Sequence, residues 1–377
     1  MTFRNKMMIW VSMLTASMGL VKAQCPVWPE NYPVRLVSVE IDSLYDQMFQ
    51  ANASGWLGAD AATSIVLDGR RTLWLFGDTF LGEIIEGRRV PNRFFINSTI
   101  AIQDRTVHPL QSIQYFWRKE GNKDIAFFPF HEGTSGKFYW PTHGLRIGDQ
   151  LIVFCMTLNK DWSEGWVAGT VSVVIDNPDD DPMEWNLRYF DMNIGSDHFV
   201  LHSAVWYEKP WLYFIALDDL NDDPKNRRMI LVRAKATDVL AGGGVETLEY
   251  WVKSQKGNIW SKTRNGAITL FAPGCTETMI QYDAAWKLNY CTTYVPEKPY
   301  IYLSVAPQLT GPWSEPVCIY QNPDHQTMTY AAKCHPELSS KPGELIISYV
   351  TAPVDVDISS QGMDVYRPRF IRVQLAK

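Results

Sequence analysis

The chain has 377 residues, 46% of them hydrophobic, enough for a sizeable core in one large domain or two ordinary ones. Its formal charge of -6, with no basic block, argues against nucleic acid or an anionic membrane surface as partner, since such binding rests on Lys and Arg neutralising phosphate. Neutral substrates suit it best.

Residues 1–23 read as an export signal and are set apart from the fold. Arg4 and Lys6 supply a positive start, MMIWVSMLTASMGLV an apolar stretch, and VKA before Gln24 a small-residue cleavage site. Removing the segment takes away Arg4, Lys6 and Lys22 and no acid, which moves the formal charge from -6 to -9. No later stretch is long and apolar enough for a membrane helix. Residues 24–377 are expected as one exported domain, periplasmic or at the cell surface.

Aromatic residues make up 13% of the chain, apolar and alternating runs dominate, and long helical periodicity is nearly absent, which defines an all-β class. In chain order, one pattern recurs. ATSIVLDGRRTLWLFGDTF is a strand, a polar turn and an apolar strand, with Trp56 and Asp60 leading in and Asp78 at its close; STIAIQDR follows. The ends of an antiparallel pair lie side by side, so both carboxylates fall on one rim of the sheet. HGLRIGDQLIVFCMTL opens at His143, just after Trp140, and GTVSVVIDNP follows. HSAVWYEKPWLYFIALDD opens at His202, with Trp206 inside it, and RMILVRAKATD follows. ETMIQYDAAWKLNYCTTY opens at Glu277, with PYIYLSVAPQLTGPW after it. Last comes PELSSKPGELIISYVTA, led by His335 and Glu337, then RFIRVQLAK. Five strand–turn–strand–strand units predict a five-bladed β-propeller, in which neighbours cover the faces a lone blade leaves bare.

The first strand of each blade lines the channel of a propeller, so residues leading into those strands converge near the axis. Here they are Asp60, His143, His202, Glu277, His335 and Glu337, all acids or histidines. Each also has a plain reading, Asp60 as a turn former and the histidines as satisfied core residues. Two carboxyl groups facing one another are what glycoside hydrolysis needs, one protonated and one ionised. Asp60, Asp78 and Glu277 are the candidate catalytic acids. Trp56, Trp140, Trp206, His143, His202, His335 and Glu337 are candidates for holding a sugar, and flat rings suit sugar faces as well as core packing. Arg227, Arg367 and Arg369 are weaker candidates, Arg369 as the partner of a structural acid.

Phosphate loop, GxSxG elbow, HExxH and paired-cysteine zinc signatures are missing, and no metal or cofactor is expected at the site. NPDDDP at Asn177–Pro182 fits a structural calcium ion or a solvated turn. Of six cysteines, Cys155 reads as a buried thiol, whereas Cys275 and Cys291 flank one hairpin and are open to pairing or not. Asn52 and Asn97 match the glycosylation sequon.

GWLGADAATSIVLDGRRTLWLFGDTFLG, YWPTHG, NPDDDPMEW, LTGPWSEP, AAKCHPELSSKPGELIISYV and YRPRFIRV together resemble a family of secreted bacterial proteins long labelled as of unknown function. They are similar to five-bladed propeller glycoside hydrolases that include endo-D-arabinanases and, more distantly, arabinanases and xylosidases. The resemblance implies a hydrolase of a polysaccharide such as an arabinofuranoside, with Asp60 as base and Glu277 as acid. It departs at the second blade, where His143 stands in place of an aspartate and leaves Asp78 of the first blade as the remaining acid. A carbohydrate-binding propeller without catalysis is the alternative.

Overall fold

The computed structural model describes residues 25, 28–50, 54–92, 95–161, 163, 165–295, 298–324, 327–353 and 362–377. The export signal expected over residues 1–23 and the Asn52 sequon lie outside them. Strands dominate; five sheets are arranged as the blades of a propeller, and a two-stranded ribbon, Arg118–Glu120 with Lys123–Ile125, stands apart from them. From the axis outward, blade 1 is Trp56–Val66, Arg71–Ile85, Thr99–Asp104 and Ile113–Phe116; blade 2 is Phe138–Ile147, Gln150–Leu158, Val167–Ile175 and Leu187–Asp191. Blade 3 runs Phe199–Glu208, Trp211–Asp219, Arg227–Lys235 and Glu249–Ser254, with Gly257–Ser261 beyond. Blade 4 is Ile280–Asp283, Leu288–Tyr294, Tyr300–Ala306 and Val317–Gln321. Blade 5 takes Thr327–Cys334, Glu344–Pro353 and Pro368–Ala376 from the end of the chain and its outermost strand, Arg35–Ile41, from the beginning.

That last pairing, from Arg35↔Ala376 to Ile41↔Ile371, closes the ring. The closure is covalent as well, because Cys25 is bonded to Cys318 in the outer strand of blade 4. Cys275 and Cys291 do not pair: both are buried free thiols, and Cys275 turns its Sγ to the carbonyl of Glu277 at 3.3 Å. Cys155 is a buried thiol too.

Alternation in the strands sends apolar side chains to both faces, and adjacent blades bury them together. Phe154 meets Phe214 edge-on between blades 2 and 3; Leu303 and Ile347 share the cluster between blades 4 and 5. Each such side chain contributes roughly 1.5–3 kcal/mol when taken from water. The short helix Ser43–Met48, capped by Asp42, delivers Phe49 onto Trp74, Phe76 and Phe370 where the first and last blades meet.

Near the axis a polar belt joins each blade to the next. Thr63 donates to the carbonyl of Thr142 (2.6 Å), Thr142 meets His202 Nδ1, and the Thr278 amide donates to the carbonyl of Ser203 (2.8 Å). Thr292 donates to the carbonyl of Ala332 (2.7 Å), and Lys333 Nζ to that of Ala61 (2.8 Å). Farther out, Asp179 is shared by Arg71 of blade 1 and Arg146 of blade 2, each at 2.7 Å. The NPDDDP stretch thus acts as an inter-blade tie. Among the described residues no group of three or more His, Cys, Asp or Glu is arranged to hold a metal ion, and no helix is long and apolar enough to cross a membrane.

Candidate active site

The innermost strand of blade 1 is irregular where it carries Asp60. Its register shifts on either side of Ala61, and Ala61 and Ala62 both adopt left-handed backbone, at φ 69° and 60°. Such conformations cost about 1–3 kcal/mol each and persist only when the surroundings hold them. Here Lys333 Nζ bonds the Ala61 carbonyl, and Asp60 packs so closely on Gly77 that a Cβ there would overlap its Oδ1. Tyr330 and Tyr366, both from blade 5, donate to Asp60 Oδ2 at 3.2 and 3.1 Å.

Asp78 sits on the neighbouring strand, next to Gly77. Trp140 Nε1 of blade 2 and the Asn97 amide donate to its Oδ1, at 2.8 and 3.1 Å. Glu277 enters from the loop that leads into blade 4 and forms an ion pair with Lys333 Nζ at 2.8 Å. The Lys333 side chain is fully buried and that of Glu277 is 16% exposed, so the pair has a shielded cation and a carboxylate open to a ligand.

Electrostatics divides these acids. Burial, then the charges of Asp78 and Glu277, hold the Asp60 carboxyl well above its ordinary range. Burial pushes Asp78 up to about 6, against the two hydrogen bonds it accepts. Close like charges cannot both ionise easily, so the aspartates titrate as a unit that retains a proton toward neutrality. The Tyr330 and Tyr366 phenols are raised in turn by burial and then by Asp60, and so remain donors. One protonated pair and one ion-paired carboxylate therefore share a site.

The other candidates lie elsewhere. Trp56 is fully buried, stacked on Tyr115 with centroids 4.6 Å apart, and its Nε1 bonds Thr99, so it is core. His202 is fully buried between Thr142 and Thr170, and His335 between Ser64 and Ser348; burial pushes both down to about 3. These two histidines are neutral ties within the belt and cannot reach a sugar. His143 is 3% exposed and pushed down to about 4 by burial; its Nδ1 accepts from the Gly144 amide. Glu337 has a buried side chain, raised by burial, beside Ser64 and His335. Trp206 pairs with Tyr213 near the hairpin end of its strand, away from the end where blade 3 begins. Of the proposed sugar holders only Trp140 touches a carboxylate of the cluster. Arg227 is held by Asp219, and Arg367 and Arg369 by Asp46.

Lys333, Tyr330 and Tyr366 join the site from outside the set of residues that lead into the inner strands. Lys333 had a signal, a lone cation in the apolar strand YAAKC, where a buried charge needs a partner. Tyr366 stands in YRPRF, where the arginines drew attention. Asn97 carries a sequon in the sequence, and in the fold its amide is committed to Asp78.

Fold and cluster together define a five-bladed propeller with an acidic site near its axis. The chain belongs to the family described as Domain of unknown function (DUF5005), whose model matches residues 42–375. Among solved structures it is similar to a candidate hydrolase from Bacteroides ovatus ATCC 8483, at 17% identity and a TM-score of 0.73, covering 92% of this chain and 95% of that one. It is also similar to CoXyl43, a GH43 beta-xylosidase/alpha-arabinofuranosidase from a compost microbial metagenome in complex with xylotriose, at 12% identity and a TM-score of 0.47, over 91% and 94% of the chains. The GH43_1 enzyme from Xanthomonas citri complexed with xylotriose matches at 9% identity and a TM-score of 0.47, over 86% and 89%. The TM-score of 0.73 to the Bacteroides ovatus protein, at 17% identity, shows a shared fold. No curated protein matches the sequence.

Proposed function

We propose that the protein is an exported glycoside hydrolase that cleaves a neutral polysaccharide at the Asp60–Asp78–Glu277 cluster. The observation that carries this reading is the division of charge among three converging carboxyls. The aspartate pair retains a proton, and Glu277 faces it in an ion pair with Lys333. In the reaction, the aspartate pair gives its proton to the glycosidic oxygen as the bond to the anomeric carbon breaks. Glu277 takes a proton from the incoming water or attacks that carbon itself. These roles reverse the assignment implied by the family resemblance, because Lys333 is bound to Glu277 and not to an aspartate. Three acids at the site disfavour an anionic sugar, which supports a neutral substrate. A furanoside such as arabinan heads the substrates to try. The Cys25–Cys318 disulfide supports export, since such bonds persist in oxidising compartments.

Leaving-group dependence tests the assignment. A good aryl leaving group needs no proton, so Asp78→Asn is expected to lose at least about 100-fold on polysaccharide yet keep most of its rate on an aryl glycoside of the same sugar. Glu277→Gln is expected to lose both. Equal losses for the two variants on both substrates would sink the division of roles.

A further inference from the structure

Beside Glu277, between the loop that joins the second and third strands of blade 3 and the loop that leads into blade 4, is a cavity of about 840 Å³. That lies within the roughly 300–1,000 Å³ of sites that enclose small ligands. Its wall toward the carboxylates is formed by Thr276, the residue before Glu277, and by Tyr294, whose hydroxyl lies 3.2 Å from that of Thr276. The Tyr294 phenol is raised by burial and then by the charge of Glu277. Leu220, Pro224, Ala272 and Pro273 make the outer wall apolar.

Two of the three cations that line the cavity are already paired, and the third, Lys225, is exposed. Arg227 Nε lies 3.0 Å from Asp219, and Arg228 Nε 2.8 Å from Asp218, and those aspartate side chains are 0% and 4% exposed. Each guanidinium thus has a buried carboxylate as partner, Asp218 being shared with Arg264 at 3.2 Å. What the cavity offers is apolar surface edged with ion-paired guanidinium donors and the exposed Lys225, a combination that suits the faces and hydroxyls of sugars.

We propose that this cavity is the groove that carries the glycan chain, holding successive neutral sugars on one side of the bond cleaved at Glu277. The inference rests on the hydrolase reading for its chemistry but on the cavity for its location. It requires that turnover improve with chain length, because each sugar seated between blades 3 and 4 adds binding.

Ala272 is exposed on one wall and Val295 stands on the other, so Ala272→Trp and Val295→Trp would each obstruct the groove without touching the carboxylates. The probes are arabinan, xylan and arabinogalactan, with their oligosaccharides from disaccharide to octasaccharide, assayed after circular dichroism shows each variant folded. The expected result is a KM penalty that grows by about tenfold from the shortest cleaved oligosaccharide to the longest, the equivalent of roughly 1.4 kcal/mol. A penalty equal at all lengths, or none, overturns the groove and leaves the hydrolase standing. Retention of wild type on one of these polysaccharides in affinity electrophoresis, without cleavage and lost in both variants, upholds the groove and overturns hydrolysis. Neither cleavage nor retention on any of them overturns both.

Discussion

Asp78 gives the site its pH signature. Its folded value of about 6 lies above the ordinary 3.8, so the native state binds a proton that the unfolded chain releases between those limits. The stabilisation is therefore present near pH 4 and lost as pH rises through 6, and the shift corresponds to roughly 3 kcal/mol, shared with Asp60. Asp78→Asn is expected to melt close to wild type at pH 4 and clearly above it at pH 8; calorimetry showing the same difference at both would contradict this. Lys333 is the complementary case. Lys333→Met strands Glu277 beside two aspartates and is expected to cost about 3 kcal/mol in urea unfolding, with most of that recovered in the Lys333→Met/Glu277→Gln double variant while activity stays lost. The three acids were legible in the sequence because each lies where an inner strand begins or its partner ends. Lys333, Tyr330 and Tyr366 were not, since their roles depend on blade 5 folding back over blade 1, a contact across some 270 positions. The burial of Trp56 is not legible in the sequence, because its position before a hairpin does not say which face its ring takes.

At the scale of elements, the belt near the axis decides how the blades hold their angles. Thr142 serves two neighbours, accepting from Thr63 through its carbonyl and meeting His202 through its hydroxyl. Thr142→Val keeps the volume but leaves a buried imidazole nitrogen unpaired, and a loss of about 1–3 kcal/mol is expected from urea unfolding. A comparable loss in a His202→Phe variant, and no further loss on combining the two, would identify that bond as the cause; full additivity would point elsewhere. The hairpins and third strands of every blade were legible as apolar alternation around polar turns. Outer strands were not: Ile113–Phe116 and Val317–Gln321 are too short to show a period, and their pairing is set by the strands they cover.

At the scale of the molecule, the ring is closed by pieces far apart in the chain. Arg35–Ile41 completes blade 5, and Cys25–Cys318 fastens the same end to blade 4 across 293 positions. Cys318→Ser is expected to lower stability by about 2–4 kcal/mol and to make unfolding insensitive to reductant; wild-type-like stability would show that the strand alone suffices. This connectivity could not be read from six cysteine positions, which fix no pairing by themselves. The propeller thus brings acids from blades 1 and 4 and a cation from blade 5 to one place, and the central claim is that this place cleaves glycosidic bonds. The measurement that tests it most directly is reducing-sugar release from arabinan, xylan and arabinogalactan by wild type and Glu277→Gln, purified with the disulfide intact. The account predicts release by the wild type from at least one of them, reduced by at least about 1,000-fold in the variant. No release from any, or equal release by both proteins, would contradict it.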